Sequence, residues 1–265
     1  RRVVENFFPL PTTDLKRDPS FSSQAAIYAG QYLSNRRSYK TVEKLGSLGM
    51  ETTVGVNDEG YLITTLAGNS QRWLPLGEHL FENVDNGSRI AFEVGPSGTA
   101  TRLYSSYGHT VSDRVSWQHS SQFFYIAAAC TLVVSFGSLF GFWLRRGRQL
   151  AQSSGERLAA VGIGTSSLFW LGFFVTFVVL FNGAQSVDSE ILVRYPTPLA
   201  WTVHILAIIV AIFAVANVLG LIPIWRNGGW PVWRRLRHTL IVLVGMVMVW
   251  VLNDWNVLGF HYLGA

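Results

Sequence analysis

The sequence predicts a membrane protein of mixed β + α class: a small antiparallel β-domain (barrel or sandwich) followed by a four-helix transmembrane bundle. Three observations carry this. Short runs of alternating polarity, joined by Asx- and Gly-rich turns, occupy residues 25–120. Four apolar runs, each about long enough to cross a bilayer, occupy residues 121–265. Arginines gather in alternate connections between those runs. Charged residues make up only 14% of the chain, too few for an ordinary soluble domain.

Residues 1–24 hold short apolar pieces broken by Pro9, Pro11 and Pro19, with charges between them, which is linker composition. Asn6–Pro11 reads as the end of a preceding segment. The chain is therefore expected to be the C-terminal part of a longer polypeptide, with 1–24 linking it to a missing upstream domain.

Residues 25–120 read as an extracytoplasmic β-domain. Ile90, Phe92 and Val94 alternate with Arg89, Ala91 and Glu93, the period of a half-buried strand. Asn57-Asp58-Glu59-Gly60 separates Thr52–Val56 from Tyr61–Leu66. Asp85-Asn86-Gly87 separates Leu80–Val84 from Arg89–Val94, and Gly95-Pro96-Ser97-Gly98 separates that strand from Thr99–Ser105. Asx and Gly tolerate the positive φ of hairpin turns, so the order predicts an antiparallel meander. Val111, Val115 and Trp117 permit one more strand. Tyr39–Leu48 fits a strand or a short helix equally.

Four spans are predicted, over residues 123–144, 158–181, 199–224 and 236–252. The first has 22 residues without a charge and is followed at once by Arg145, Arg146 and Arg148. With Arg157 these lie in the connection to the second span, while Arg226, Arg234, Arg235 and Arg237 lie between the third and fourth. The connection between the second and third spans holds Asp188 and Glu190 with Arg194. Eight of the nine arginines after residue 121 thus fall on one side. Arg145, Arg146, Arg148, Arg226, Arg234, Arg235 and Arg237 are the topology-determining residues: their side is expected to be cytoplasmic, with the β-domain and C-terminus outside a cytoplasmic (inner) membrane. Trp201, Trp230 and Trp233 suit interfacial anchoring. The net charge of +5 belongs wholly to this membrane half, so it argues for a lipid bilayer as partner and against nucleic acid.

Candidate chemistry is sparse. The single cysteine, Cys130, lies in the first apolar run and excludes an intrachain disulfide. Asn217 is the main polar residue at depth and reads as a bond to a neighbouring helix. His119, His204 and His261 fall at one level, but only His204 lies inside a span, so a metal or haem site is disfavoured and no cofactor is expected. His109 reads as a surface histidine.

One series of motifs stands out. Tyr28-Ala29-Gly30-Gln31-Tyr32 leads into Ser34-Asn35-Arg36-Arg37-Ser38-Tyr39-Lys40-Thr41. Trp73-Leu74-Pro75-Leu76-Gly77, Leu80-Phe81 and Ile90-Ala91-Phe92 follow. This order resembles the β-rich domain after the catalytic domain in serine hydrolases of the β-lactamase / penicillin-binding-protein-like family, several of which continue into transmembrane helices. It covers roughly residues 20–105. The resemblance implies an acyl-enzyme hydrolase of peptide, β-lactam or ester substrates, with Arg36, Arg37 and Ser38 as a contact for the upstream domain.

The catalytic motifs of that family are missing here. The residues three before Lys16, Lys40 and Lys44 are Thr13, Arg37 and Thr41, so no S-x-x-K exists. Lys40-Thr41 is followed by Val42 rather than Gly, and no G-x-S-x-G occurs. The chain is thus expected to be the non-catalytic part of such a hydrolase, anchoring and positioning the upstream domain. The alternatives are a non-enzymatic envelope protein whose β-domain binds a ligand or partner, and a haem or quinone redox subunit.

Overall fold

A computed structural model of the chain describes residues 21–105, 110–144, 153–184, 196–226 and 229–259. The described residues divide into two compact units. One comprises the strands. The other comprises four long helices together with Ser38–Gly46, an excursion between the first two strands.

The first unit is a closed eight-stranded barrel with strands in chain order: β1 (Gly30–Ser34), β2 (Thr52–Val56), β3 (Leu62–Leu66), β4 (Asn69–Gly77), β5 (Leu80–Asn83), β6 (Arg89–Val94), β7 (Ala100–Ser105) and β8 (Val111–Val115). Every neighbouring pair is antiparallel. β1 closes on β8 with Gln31 opposite Val115 and Ser34 opposite Ser112. The β-domain expected from sequence is therefore a barrel rather than a sandwich. Closure removes the unpaired edges that an open sheet would present.

Local chemistry sets the turns. Asn57 Oδ1 accepts the Tyr61 N–H at 2.9 Å, and Gly60 takes φ +81°. Asn83 Oδ1 accepts from the N–H groups of Asp85 and Asn86 at 2.8 and 3.1 Å. Between β3 and β4 two residues suffice, Ala67 and Gly68 with φ +49° and +81°, the pattern of a type I′ turn. Pro75, which cannot donate to a ladder, sits where the β4–β5 register shifts.

Eight strands enclose an interior that side chains can fill. Here Tyr28, Tyr32, Leu62, Trp73, Phe81 and Phe92 fill it, joined by Phe21 from the turn before β1. Tyr28, Phe81 and Phe92 meet at ring centroids of 4.9–5.6 Å. The Trp73 indole donates to Thr64 Oγ1 at 2.8 Å, so its polar edge is satisfied in the core. Gly30 is required by close approach: a Cβ there would stand 3.0 Å from Arg114 Nε, whose guanidinium donates to the carbonyls of Ala29 and Ala100.

The second unit contains α1 (Ser121–Leu144), α2 (Ser154–Ala184), α3 (Pro198–Arg226) and α4 (Val232–Asp254). All four are long and apolar enough to cross a membrane, so the chain is a multi-pass membrane protein. The helices run two to seven residues beyond the predicted spans in total, because polar end residues such as Ser121, Ser154 and Arg226 continue the helix past the apolar run. Packing follows the cycle α1–α2–α3–α4–α1. Buried positions on α3 are mostly small or branched, including Ala200, Val203, Ala207, Val210 and Ala214, which permits close helix approach. Hydroxyls in the core bond back into their own helices, as Thr131 Oγ1 does to the Ala127 carbonyl at 2.8 Å. Val133, Phe136, Val175 and Leu219 instead face outward, the surface expected against lipid.

The ambiguous stretch Tyr39–Leu48 forms a 3₁₀ helix over Val42–Ser47. It is tied to the end of α4. Asn256, with φ +56°, donates its side-chain amide to the carbonyls of Tyr39 and Thr41 at 3.0 Å each. Lys44 Nζ bonds the Asp254 carbonyl and lies 5.3 Å from the Trp255 ring centroid.

Candidate functional site

In the barrel, the apolar motif residues Tyr28, Tyr32, Trp73, Leu74, Phe81, Ile90 and Phe92 are core residues, whereas Ser34–Thr41 are exposed or half-buried. Tyr32 donates its hydroxyl to the Tyr28 carbonyl at 2.8 Å, and burial pushes its phenol up to about 12, with Arg114 acting weakly the other way. Tyr28 in turn bonds His79 Nδ1 at 2.8 Å. Trp73 and Phe81 lie inside, and Pro75 pairs with Phe81. Such groups hold a fold together and offer no activated nucleophile.

The three residues singled out as a domain contact share one turn. Arg37 Nη1 donates to the carbonyls of Leu33 and Ser34 at 3.0 and 2.8 Å, covering the end of β1. Ser38 Oγ meets Thr41 Oγ1 at 2.5 Å. Arg36 is exposed, and its backbone N–H donates to Ser34 Oγ at 3.2 Å.

An exposed network crosses β6, β7 and β8. Glu93 Oε2 accepts from the Tyr104 hydroxyl at 2.6 Å and from Arg102 at 3.3 Å, and Arg102 Nε reaches Asp113 Oδ1 at 3.3 Å. The Tyr104 bond, with Arg102 behind it, holds the Glu93 carboxyl below its usual range. These are cross-strand partners in solvent and contribute modestly to stability.

Within the bundle, Asn217 bonds the neighbouring helix as expected: its Nδ2 donates to Ser166 Oγ at 3.1 Å. Gly162 lies so close that a Cβ there would stand 2.9 Å from Asn217 Oδ1. Beside this pair is a cavity of about 20 Å³, lined from all four helices by Thr131, Ser135, Ser166, Ser167, Asn217 and Gly245 among others. That volume holds about one water among polar partners. His204, at the other end of α3, is buried and bonds the Val257 carbonyl through Nδ1 at 2.9 Å. His119 lies in a 3₁₀ turn of the other unit, and His109 and His261 lie outside the described residues. Among the described residues no group of three or more His, Cys, Asp or Glu is placed to hold a metal ion.

The densest buried chemistry lies at the opposite end of the bundle from His204. Ser153 and Glu156 form a reciprocal capping box at the start of α2. Glu156 Oε2 accepts from the Ser153 N–H at 2.8 Å and hydroxyl at 3.1 Å, while Ser153 Oγ accepts the Glu156 N–H at 3.2 Å. The carboxylate is fully buried, and its Oε1 has no hydrogen-bond partner in the protein. The chain crosses it at Gly229, where a Cβ would stand 2.6 Å from Oε2. Next to Gly229, Trp230 is 2% exposed and packs with Ala159 and Ile224. Arg234 lies over its ring at 3.8 Å, and Arg235 Nε donates to its carbonyl at 2.8 Å. The indole also meets the buried His238 ring edge-on, at 5.4 Å between centroids. Trp230 Nε1 and His238 Nε2 both lack a partner in the protein.

Trp230 is thus a core residue rather than an interfacial anchor, whereas Trp233 beside it is 78% exposed. Of the topology-determining arginines, Arg226, Arg234, Arg235 and Arg237, with Arg157, stand at this one end, since it joins the end of α3 to the start of α4 and begins α2. Arg145, Arg146 and Arg148, like Asp188, Glu190 and Arg194, lie outside the described residues. Sequence reading passed over Glu156 and His238 and took Trp230 for an interfacial anchor. The S-x-x-E signature at Ser153–Glu156 was the available signal for the first. No family model, curated protein or solved structure matches the chain.

Proposed function

We propose that this chain is the non-catalytic C-terminal part of a membrane-anchored serine hydrolase of the β-lactamase / penicillin-binding-protein-like type. The bundle anchors the polypeptide in the cytoplasmic membrane, the arginine-bearing end faces the cytoplasm, and the barrel stands outside as the seat for an upstream catalytic domain. The observation that carries the reading is the fate of the motif residues. Tyr32, Trp73, Phe81 and Phe92 converge to fill the barrel interior, so the series that carries the resemblance is a fold signature. A filled interior suits a spacer or seat better than a container for a ligand. Arg36, exposed at the turn after β1, is the surface group we assign to the upstream contact.

The test is covalent labelling of serine. The full product of the gene and residues 1–265 alone are each treated with a fluorophosphonate and a fluorescent penicillin. The expected result is a labelled serine upstream of Arg1 in the full product and no label on the isolated chain. Label on the isolated chain, or a full product that neither reagent modifies, overturns the reading.

A further inference from the structure

The outward surface of α3 and α4 changes character at the arginine-bearing end. Leu219 and Ile222 on α3, and Leu236 and Leu240 on α4, are all exposed, as a surface against acyl chains should be. Trp225 and Arg226 follow Ile222 by three and four residues, so they share its face of α3. Arg235 and Thr239 precede Leu236 and Leu240 by one residue each, and the four share one side of α4. The two helices meet at these polar groups. The Trp225 indole donates to Thr239 Oγ1 at 3.2 Å, and the Arg235 guanidinium lies 5.9 Å from the Trp225 ring centroid. Arg235 Nε is held by the Trp230 carbonyl at 2.8 Å, which leaves Nη1 and Nη2 to donate elsewhere.

This surface has no counter-ion of its own. Among the described residues, neither Arg226 nor Arg235 has a carboxylate partner. α3 contains no Asp or Glu, and α4 has none before Asp254 at its opposite end. Glu156, the described carboxylate at the arginine-bearing end, is fully buried and bonded to Ser153. Two guanidinium groups bordering a lipid-facing surface therefore take their anion from outside the chain.

We propose that the α3–α4 hairpin binds the phosphate of an anionic phospholipid through Arg226 and Arg235, with an acyl chain lying along Leu219, Ile222, Leu236 and Leu240. Arg235, fixed through Nε and the Trp225 ring, presents paired N–H groups that match two phosphate oxygens. Trp225, with its amphipathic ring, stands where the glycerol backbone of the lipid lies. Preference for a net-anionic lipid follows from the missing carboxylates. A choline or ethanolamine head brings a cation that finds only arginines here, whereas a glycerol head brings none.

The full chain is placed in nanodiscs of equal parts phosphatidylglycerol and phosphatidylcholine, and native mass spectrometry identifies the lipid that it retains. The retained lipid is expected to be enriched in phosphatidylglycerol. Arg226→Gln lowers that enrichment about fivefold, and Arg235→Gln lowers it by a similar factor. Arg157→Gln, which removes the same charge at the same end but from α2, leaves it unchanged. Excess inorganic phosphate does not displace the lipid, because it lacks the acyl chain. Equal losses in Arg157→Gln and Arg226→Gln overturn the proposal, since a diffuse field would then account for the preference. Equal retention of the two lipids, or displacement by phosphate, overturns it too. Where Arg235→Gln fails to fold for want of its bond to Trp230, Arg226→Gln, at an exposed helix end, decides.

Discussion

Lys44 and Asp254, 210 residues apart, form a 3.5 Å ion pair in which each side chain is only 17% exposed. Asp254 closes α4, and Lys44 comes from the excursion between β1 and β2. Removing one partner leaves the other charge largely desolvated. Lys44→Met or Asp254→Asn is expected to cost about 1–3 kcal/mol each. The double variant should recover part of the loss, and a thermal-unfolding cycle in detergent measures that coupling. Additive losses would mean that the pair contributes nothing specific.

Gly162 and Asn217 are coupled by sterics. The Cβ of Gly162→Ala would stand 2.9 Å from Asn217 Oδ1. Gly162→Ala is expected to destabilise the bundle by about 1–3 kcal/mol through overpacking. In an Asn217→Ala background the same change should be nearly neutral. Equal penalties in both backgrounds would argue that the helices meet elsewhere.

Tyr32 makes the barrel sensitive to alkali. Its phenol is raised from 10.0 to about 12, because burial favours the neutral form. For a group whose folded value is raised, the associated stability is complete below the unfolded value and declines as pH climbs through the folded one. Barrel stability is therefore expected to fall between pH 10 and about 12. Tyrosinate absorbance and near-ultraviolet circular dichroism follow it together. Tyr32→Phe should flatten this window while lowering stability at neutral pH, since the Tyr28 carbonyl loses its donor. An unaltered alkaline transition in the variant would assign the effect to another group.

Orientation is tested by impermeant thiol labelling of intact cells, with Cys130 first replaced by Ala. Ser97→Cys, in the turn between β6 and β7, is expected to react. Arg157→Cys, on the arginine-bearing end, is expected to react only after permeabilisation. The opposite pattern would invert the topology.

The hairpins were legible wherever Asn, Asp or Gly made the turn, at Asn57–Gly60 and around Asn83–Gly87, because those residues reach positive φ cheaply. The β3–β4 turn escaped notice since Ala67, not Asn, takes φ +49°, and the β4–β5 turn since His79 takes φ +58°. β4 itself was read only as a motif: Asn69–Arg72 are all exposed and Pro75 interrupts the ladder, so no alternation marks it. The spans were legible from length and apolarity alone. Glu156 was not, because a charge at the margin of an apolar run reads as its end. Only the fold of Gly229 across the carboxylate makes it interior. The convergence of Trp230 and His238 depends on how α4 begins, which local pattern does not encode.

Closure of β1 on β8 has a mechanical side. Gln31, where the chain enters the barrel, stands opposite Val115, where it leaves. Entry and exit therefore lie on one rim, a strand spacing of about 4.8 Å apart. Tension pulling these two points apart does not shear the β1–β8 ladder as a whole. It loads the Gln31–Val115 end first and the Ser34–Ser112 end last, so the bonds fail in succession like a zipper. Peeling in this order is expected to need less force than shearing the whole ladder at once.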